Sequence, residues 1–200
     1  SASATSAWSG GNGFEPIGSD SNRFTGTFDG ANHTISSLQI DRSSEVVGLF
    51  GATDTDAEIS DVTLSNVDVT YGNSFDGGGV LVGMNRGSIT NVSASGTMVV
   101  ADGGYDAGGL VGLNEGTIGN SETDVDVSDD TGNIGNVGGL VGSQQSGGTI
   151  HNSSATGDVL IDDGRVGGLV GSNGQSGVSV IRDSYATGAV NGTSSVGGLA

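Results

Sequence analysis

The sequence predicts an all-β protein, folded as a parallel β-solenoid in which each strand pairs with its counterpart one turn later. Three observations lead to this class. A Gly-Gly-Leu-Val-Gly phrase or close variant recurs at 79–83, 108–112, 138–142 and 167–171, with an earlier relative at 47–51. A second phrase, Ile two residues before Asn or Asp, follows each copy. Between the phrases, small apolar and polar residues alternate, which is the pattern of strands with one buried face.

The repeat length sets the size of one coil. The closing glycines of the first phrase stand at 51, 83, 112, 142 and 171, so the steps are 32, 29, 30 and 29 residues. A fixed period in this range indicates one structural unit stacked repeatedly. About 30 residues suit three short strands joined by bends, and stacked strands lie about 4.8 Å apart. We therefore expect six to seven coils.

The second phrase predicts which side chains are buried. Alternation places the Ile, the residue five positions later and, in the last four repeats, the residue nine positions later on one apolar face. The Asn or Asp two positions after the Ile is predicted to form an inward ladder at a bend. This column contains Asp61, Asn91, Asn120, Asn152 and Asp183. In the first phrase a Leu column and a Val column run side by side, and alternation leaves open which of the two points inward.

The first 47 residues depart from the repeat. They contain most of the aromatic residues of the chain, including Trp8, Phe14, Phe24 and Phe28. A stacked core needs an atypical terminal coil that shields it from water. We therefore divide the chain into an N-terminal capping region, residues 1–47, and repeats over residues 48–200. The chain stops inside a repeat, so we expect either a further stretch of chain or another copy at an open C-terminal coil.

The repeats resemble the GLUG-motif family, which takes its name from the Gly-Leu-hydrophobic-Gly phrase. The segment from Phe24 to Gly30, followed by residues 33–36 and 48–51, resembles the opening coils that precede GLUG repeats. This resemblance implies a right-handed parallel β-helix in large secreted or surface-anchored proteins, many of them adhesin-like. It implies no catalytic residues in the repeats.

The amino-acid composition makes some classes of binding partner and some cellular locations unfavourable. The chain has 23 Asp and Glu against 5 Lys and Arg, none of them Lys, and a formal net charge of −18. Such a surface repels nucleic acid and anionic lipid, so we expect neither as a partner. Many Asp without Lys is typical of extreme halophiles, and an ordinary acidic secreted protein is the alternative. The absence of Cys rules out disulfides and thiolate metal sites. No apolar run is long enough to insert into a membrane.

Two kinds of candidate site remain. Asp124, Asp126, Asp129 and Asp130 crowd one segment and predict a calcium site, because carboxylate oxygens are ligands that calcium prefers. Diffuse screening by monovalent cations is the alternative, and we expect no required cofactor. Four N-glycosylation sequons occur. Asn32 and Asn191 are the favoured acceptors, since Asn91 and Asn152 fall in the predicted inward ladder.

Two functional hypotheses follow. The first is a non-catalytic extracellular or cell-surface rod, part of an adhesin, stalk or filament that assembles end to end. The second is a module that binds or cleaves surface polysaccharide. Its candidate sugar platforms are Tyr71, Phe75, Tyr105 and Tyr185. Its candidate catalytic groups are Asp162 and Asp163 with Arg165, and Asp102 and Asp106 with Arg86. Because acids are frequent throughout the chain, these pairs are interpreted as solvated loop charges, and we predict no enzyme.

Overall fold

The computed structural model describes residue 5 and residues 7–43, 46–72, 77–101, 103–130, 133–145, 147–174 and 177–200. Within these ranges the regular structure is β, apart from a short 3₁₀ segment at Trp8–Gly11. In chain order the strands are β1 Thr27–Ser36, β2 Gln39–Arg42, β3 Phe50–Ala52, β4 Glu58–Tyr71, β5 Gly78–Gly79, β6 Val82–Asn85, β7 Ser88–Val100, β8 Ala107–Gly108, β9 Val111–Asn114, β10 Thr117–Gly119, β11 Glu122–Asp129, β12 Asn136–Gly138, β13 Val141–Gln144, β14 Thr149–His151, β15 Ser154–Ala155, β16 Val159–Leu160, β17 Arg165–Gly167, β18 Val170–Asn173, β19 Val180–Arg182, β20 Tyr185–Ala186, β21 Val190–Asn191 and β22 Ser195–Gly197.

The strands stack into three parallel sheets, which confirms the predicted β-solenoid. The long sheet contains β1, β2, β4, β7, β10, β11, β14, β15, β16, β19, β20 and β21. The first short sheet is ordered β22-β17-β12-β8-β5, and the second short sheet is ordered β18-β13-β9-β6-β3. The named strands pair in parallel. Each turn passes through the long sheet, then the first short sheet, then the second.

The number of turns is smaller than predicted. Each short sheet has five strands, so the chain completes five turns, and the long sheet has a sixth rung. The reason lies in the N-terminal segment. Residues 13–24 form no strand and pair with the first turn through isolated bridges, among them Ile17 to Phe50 and Phe24 to Thr53. The aromatic ring of Phe24 packs on that of Phe50 with the centroids 4.9 Å apart, and Phe28 of β1 packs on the same ring at 5.4 Å. The division into capping region and repeats stays a prediction.

Residues of one kind form columns through the core. Ile59, Ile89, Ile118, Ile150 and Ile181 pair in register along the long sheet. The first four are buried, and Ile181 in the sixth rung packs against them while partly exposed. The residue five positions after the Ile is buried from Leu64 through Ala155, and the residue nine positions after it is buried at Met98, Val127 and Val159, as predicted. The period-two pattern therefore identified the buried face of the long sheet correctly.

The Leu and Val columns of the glycine phrase are both buried. Leu110 and Val111, for example, are each fully inaccessible to solvent. Alternation could not decide which column is buried, because the backbone bends within the phrase as it passes from one short sheet to the other. In each turn the Leu lies between the strand of the first short sheet and the strand of the second short sheet. A bend between two consecutive residues lets both side chains point inward.

The glycines of the phrase let the two short sheets touch backbone to backbone. A Cβ added to Gly112 would lie 2.4 Å from the backbone nitrogen of Gly78, and one on Gly142 would lie 2.4 Å from that of Ala107. Gly171 repeats this contact with Val137, again at 2.4 Å. No side chain fits such a gap, so the closing glycine of each repeat is required by close approach of the two backbones.

A ladder of polar side chains is buried in the second short sheet. The hydroxyl of Thr53 donates to Asn85 Oδ1 at 2.9 Å, Asn85 Nδ2 donates to Asn114 Oδ1 at 2.8 Å, and Asn114 Nδ2 donates to Gln144 Oε1 at 2.8 Å. The four residues are 0–1% exposed. Each stands two residues after the closing glycine of its phrase. Sequence reasoning missed this ladder, although that fixed polar position was a usable signal.

Candidate functional site

A groove follows the outer face of the long sheet and runs across its rungs. It lies where each long strand bends, and it encloses about 470 Å³. One bend residue per rung lines it, together with a tyrosine from the sixth rung. These residues are Asn32, Asp61, Asn91, Asn120, Asn152 and Tyr185.

The bend itself has left-handed backbone geometry. Asp61, Asn91, Asn120, Asn152 and Asp183 have φ between 49° and 56°. Asn and Asp are the side chains that tolerate this conformation best after glycine, which explains their fixed place two residues after the Ile. The backbone turns these side chains outward: the three Asn are exposed. The predicted inward ladder is therefore wrong.

The bend residues nevertheless hydrogen-bond to one another across rungs. Asn91 Nδ2 donates to Asp61 Oδ1 at 3.1 Å, and Asn152 Nδ2 donates to Asn120 Oδ1 at 3.2 Å. The ladder exists, but on the surface, where it forms one wall of the groove. Its amides are held at the spacing of the strands.

Serine hydroxyls along the groove form hydrogen bonds within one bend and to the preceding rung. Ser121 Oγ donates to the carbonyl of Gly119 at 2.9 Å and accepts the backbone N–H of Val92 from the preceding rung at 3.2 Å. Ser153 and Ser184 make the same two kinds of bond in the next two rungs. Because each hydroxyl ties one rung to its neighbour, the bend has a single repeated geometry.

The groove is polar and carries negative charge. Glu122 and Asp61 lie on its walls, and the hydroxyl of Ser93 donates to Glu122 Oε1 at 3.2 Å. Tyr185 supplies an aromatic ring and is 57% exposed. Such a surface offers amide donors, carboxylate acceptors and one flat apolar face.

The predicted calcium ligands do not gather around one point. Asp124 and Asp126 project outward from β11, and their carboxylates accept the hydroxyl of Thr156 at 3.0 Å and the N–H of Asp158 at 3.0 Å. Asp129 accepts the N–H of Asp162 in the next rung at 3.2 Å. Asp130 is exposed at the end of the same segment. Among the residues that the structure describes, no three acidic or histidine side chains are placed to hold a metal ion. The calcium site stays a prediction.

The predicted glycosylation sites are accessible. Asn32 and Asn191 are both exposed, and Asn32 lies in the groove. The reason for setting aside Asn91 and Asn152 was wrong, because both side chains face solvent. Glycosylation at Asn32 and Asn191 stays a prediction.

The acid and arginine groups considered for polysaccharide cleavage are engaged in local structure. Arg165 Nη1 donates to Asn136 Oδ1 at 3.2 Å, and Asp163 accepts the N–H of Gly164 in its own turn at 2.8 Å. Arg86 pairs with Glu115 at 2.7 Å. Asp102 lies outside the described residues.

Asp106 is buried and directly precedes β8 of the first short sheet. Desolvation by burial raises the pKa of its carboxyl, and a hydrogen bond from Asn136 Nδ2 at 2.6 Å acts in the opposite direction. Its backbone carbonyl accepts the N–H of Gly78 at 3.2 Å. These contacts lie in the protein interior, away from the groove lining, and indicate a structural role.

Of the predicted sugar platforms, Tyr185 alone lines the groove. Tyr71 is fully buried, and its hydroxyl donates to the carbonyl of Tyr105 at 2.7 Å. Tyr105 is 39% exposed outside the groove lining. Phe75 lies outside the described residues. Sequence reasoning found the residues of the groove wall but placed them inside, so it missed the groove.

Comparison with known proteins gives two matches. The GLUG motif matches residues 133–160 and 162–191. The chain is also similar to halomucin of Haloquadratum walsbyi (strain DSM 16790 / HBSQ001), with 44% identity over 119 residues. That alignment covers 58% of this chain and 1% of halomucin. In the described part of the chain, no helix is long and apolar enough to cross a membrane.

Proposed function

We propose that the chain is a non-catalytic rod segment of a surface-associated, mucin-like or adhesin-type protein, because residues 133–160 and 162–191 match the GLUG motif and the chain is similar to a protein of a halophile. The observation that carries this proposal is the unbroken parallel stack. The columns of paired residues continue from β1 to β22 through three sheets. Strands β4, β7, β10 and β11 lie in the same columns as the strands within the two segments that match the GLUG motif. A stack of this kind builds an extended surface rather than an enclosed pocket.

The acidic surface supports a role in concentrated salt. The net charge of −18 produces self-repulsion that destabilises a compact chain in dilute buffer. At about 1 M salt the Debye length falls to about 3 Å, which screens exposed charges from one another. The similarity to a halophile protein favours this interpretation over that of an ordinary acidic secreted protein. We propose an extracellular or cell-surface location on the same grounds.

The sixth rung supports end-to-end stacking. Val196 and Leu199 are 47% and 44% exposed, although Val166 and Leu169 one turn earlier are 1% and 0% exposed. β19 to β22 also present a free edge to solvent. A parallel strand from further repeats or from a second copy would pair with this edge and cover these side chains.

Electron microscopy of the purified protein in molar potassium chloride tests the proposal. We expect rods or filaments with the rungs stacked along their axis, and loss of these particles after dialysis into dilute buffer. Compact globular particles in molar salt would contradict the rod. Release of reducing sugar from polysaccharide by the same preparation would contradict the non-catalytic role. Short separate rods in both buffers would contradict end-to-end assembly but would leave the proposed rod intact.

A further inference from the structure

We infer that the groove on the long sheet binds an extended, uncharged polysaccharide lying parallel to the rod axis. This inference goes beyond the structural role proposed above. It assigns a class of ligand to the groove, and the rod does not need that ligand in order to form. The inference starts from the regularity of the groove wall.

The groove repeats at the spacing of the rungs. The bend residues from Asn32 to Asn152, with Tyr185 in the next rung, span five intervals, or about 24 Å at the ordinary strand spacing. The rung spacing of about 4.8 Å is close to the length that one sugar occupies in an extended β-1,4-linked chain. A linear polymer can therefore meet a bend side chain at every sugar, and the same hydroxyl groups face the wall at every second rung because successive sugars of such a chain are turned over.

The wall is preorganised. Each bend has the same left-handed backbone, and the amide ladder and the serine bonds hold successive rungs together. A ligand that binds such a surface orders few protein side chains, which lowers the entropic cost of association.

The chemistry of the wall fits hydroxyl groups. A side-chain amide carries two N–H donors and an acceptor oxygen, and Asn91 donates one N–H to Asp61. Asn120 accepts from Asn152 through its oxygen, which leaves the Asn120 side-chain N–H groups to face a ligand. Sugar hydroxyls both donate and accept, and they match this mixed set. The exposed ring of Tyr185 offers a flat face for the apolar side of a pyranose.

The charge of the groove selects against acidic polymers. Asp61 and Glu122 line it, and the chain around it carries a net charge of −18. Carboxylates accept hydrogen bonds from neutral sugars but repel uronate or sulfate groups in direct contact with them, a separation no longer than the Debye length of about 3 Å at 1 M salt. The structure therefore favours uncharged glycans over anionic ones.

Isothermal titration calorimetry in molar potassium chloride tests the inference with cellohexaose, chitohexaose and polygalacturonate as probes. The test variant is Asn91→Gly with Asn120→Gly, which removes two amides while glycine keeps the left-handed backbone. The matched control is Asn66→Gly with Asn133→Gly. These two residues are also exposed and left-handed but lie outside the groove lining.

We expect the wild-type protein to bind at least one neutral hexasaccharide and polygalacturonate to bind more weakly. The groove variant should raise Kd by about tenfold or more, the effect of losing two neutral hydrogen bonds, and the control should leave Kd unchanged. Tyr185→Ala gives a second test if the double variant misfolds by circular dichroism, and it should also weaken binding. Failure of the wild type to bind either neutral hexasaccharide, equal binding by the groove variant and the control, or stronger binding of polygalacturonate would overturn the inference. Rods seen by microscopy would then still support the structural role.

Discussion

Replacing Asn114 with Leu tests whether the buried amide ladder stabilises the solenoid. Asn114 accepts from Asn85 and donates to Gln144, both at 2.8 Å, and the three side chains are 0–1% exposed. Leu is similar in size but can neither donate nor accept. The substitution leaves one N–H of Asn85 and the amide oxygen of Gln144 without their partners in a dry environment.

The expected loss in the free energy of unfolding follows from these two polar groups that lose their hydrogen-bond partners. A buried polar group that loses its partner costs about 1–3 kcal/mol, so two such groups cost about 2–6 kcal/mol. The carbonyl of Gly116 also loses the Asn114 side chain, but it keeps the backbone N–H of Thr149 at 2.9 Å and adds little. A loss of this size is a large fraction of the stability of an ordinary domain, about 5–15 kcal/mol.

Urea unfolding in molar potassium chloride, followed by circular dichroism, gives the free energies of unfolding. The control is Asn191→Leu, the same chemical change on the exposed face of β21. It should change the free energy of unfolding by no more than about 0.5 kcal/mol. If Asn114→Leu costs no more than Asn191→Leu, the ladder does not stabilise the fold and the reasoning fails.

Three further predictions follow from the interior, the glycine contacts and the acidic surface. Burial raises the pKa of Asp106, so the folded state holds its proton more tightly than the unfolded chain, and wild-type stability falls as pH rises above the unfolded pKa of about 3.9. Asp106→Asn should therefore be more stable than wild type at pH 7, with the difference vanishing at low pH. Exposed Asp41→Asn is the control, and equal pH profiles for both variants would contradict the assignment. Gly142→Ala should cost about 3 kcal/mol or more by thermal or urea unfolding because its Cβ overlaps backbone. Gly198→Ala, with open space around it, should be nearly neutral, and similar costs would refute the backbone contact. Calcium and magnesium at equal ionic strength should raise the melting temperature equally if the carboxylates of residues 124–130 are only screened. A saturable rise specific to calcium would instead establish the predicted calcium site.

The sequence was informative wherever a position repeats with one physical requirement. The Ile column and the alternation after it identified the buried face, and the recurring glycine phrase identified the parallel stack, and the structure confirms both. The first 47 residues have no repeat to compare, so the number of turns was overestimated. The buried ladder from Thr53 to Gln144 was missed because the inward polar ladder was assigned to the Asn and Asp column of the second phrase instead.

The amino-acid pattern by itself determined the period, the parallel stacking and the members of each column, because identical residues one turn apart must meet when a chain coils. It did not determine which way a column faces where the backbone bends. Alternation holds only along a straight strand, and a left-handed residue such as Asn91 or a corner such as Leu110 and Val111 interrupts it. Only the tertiary structure decided that the Asn and Asp column lies outside, where it lines a groove, and that Asn114 lies inside, where it joins neighbouring turns.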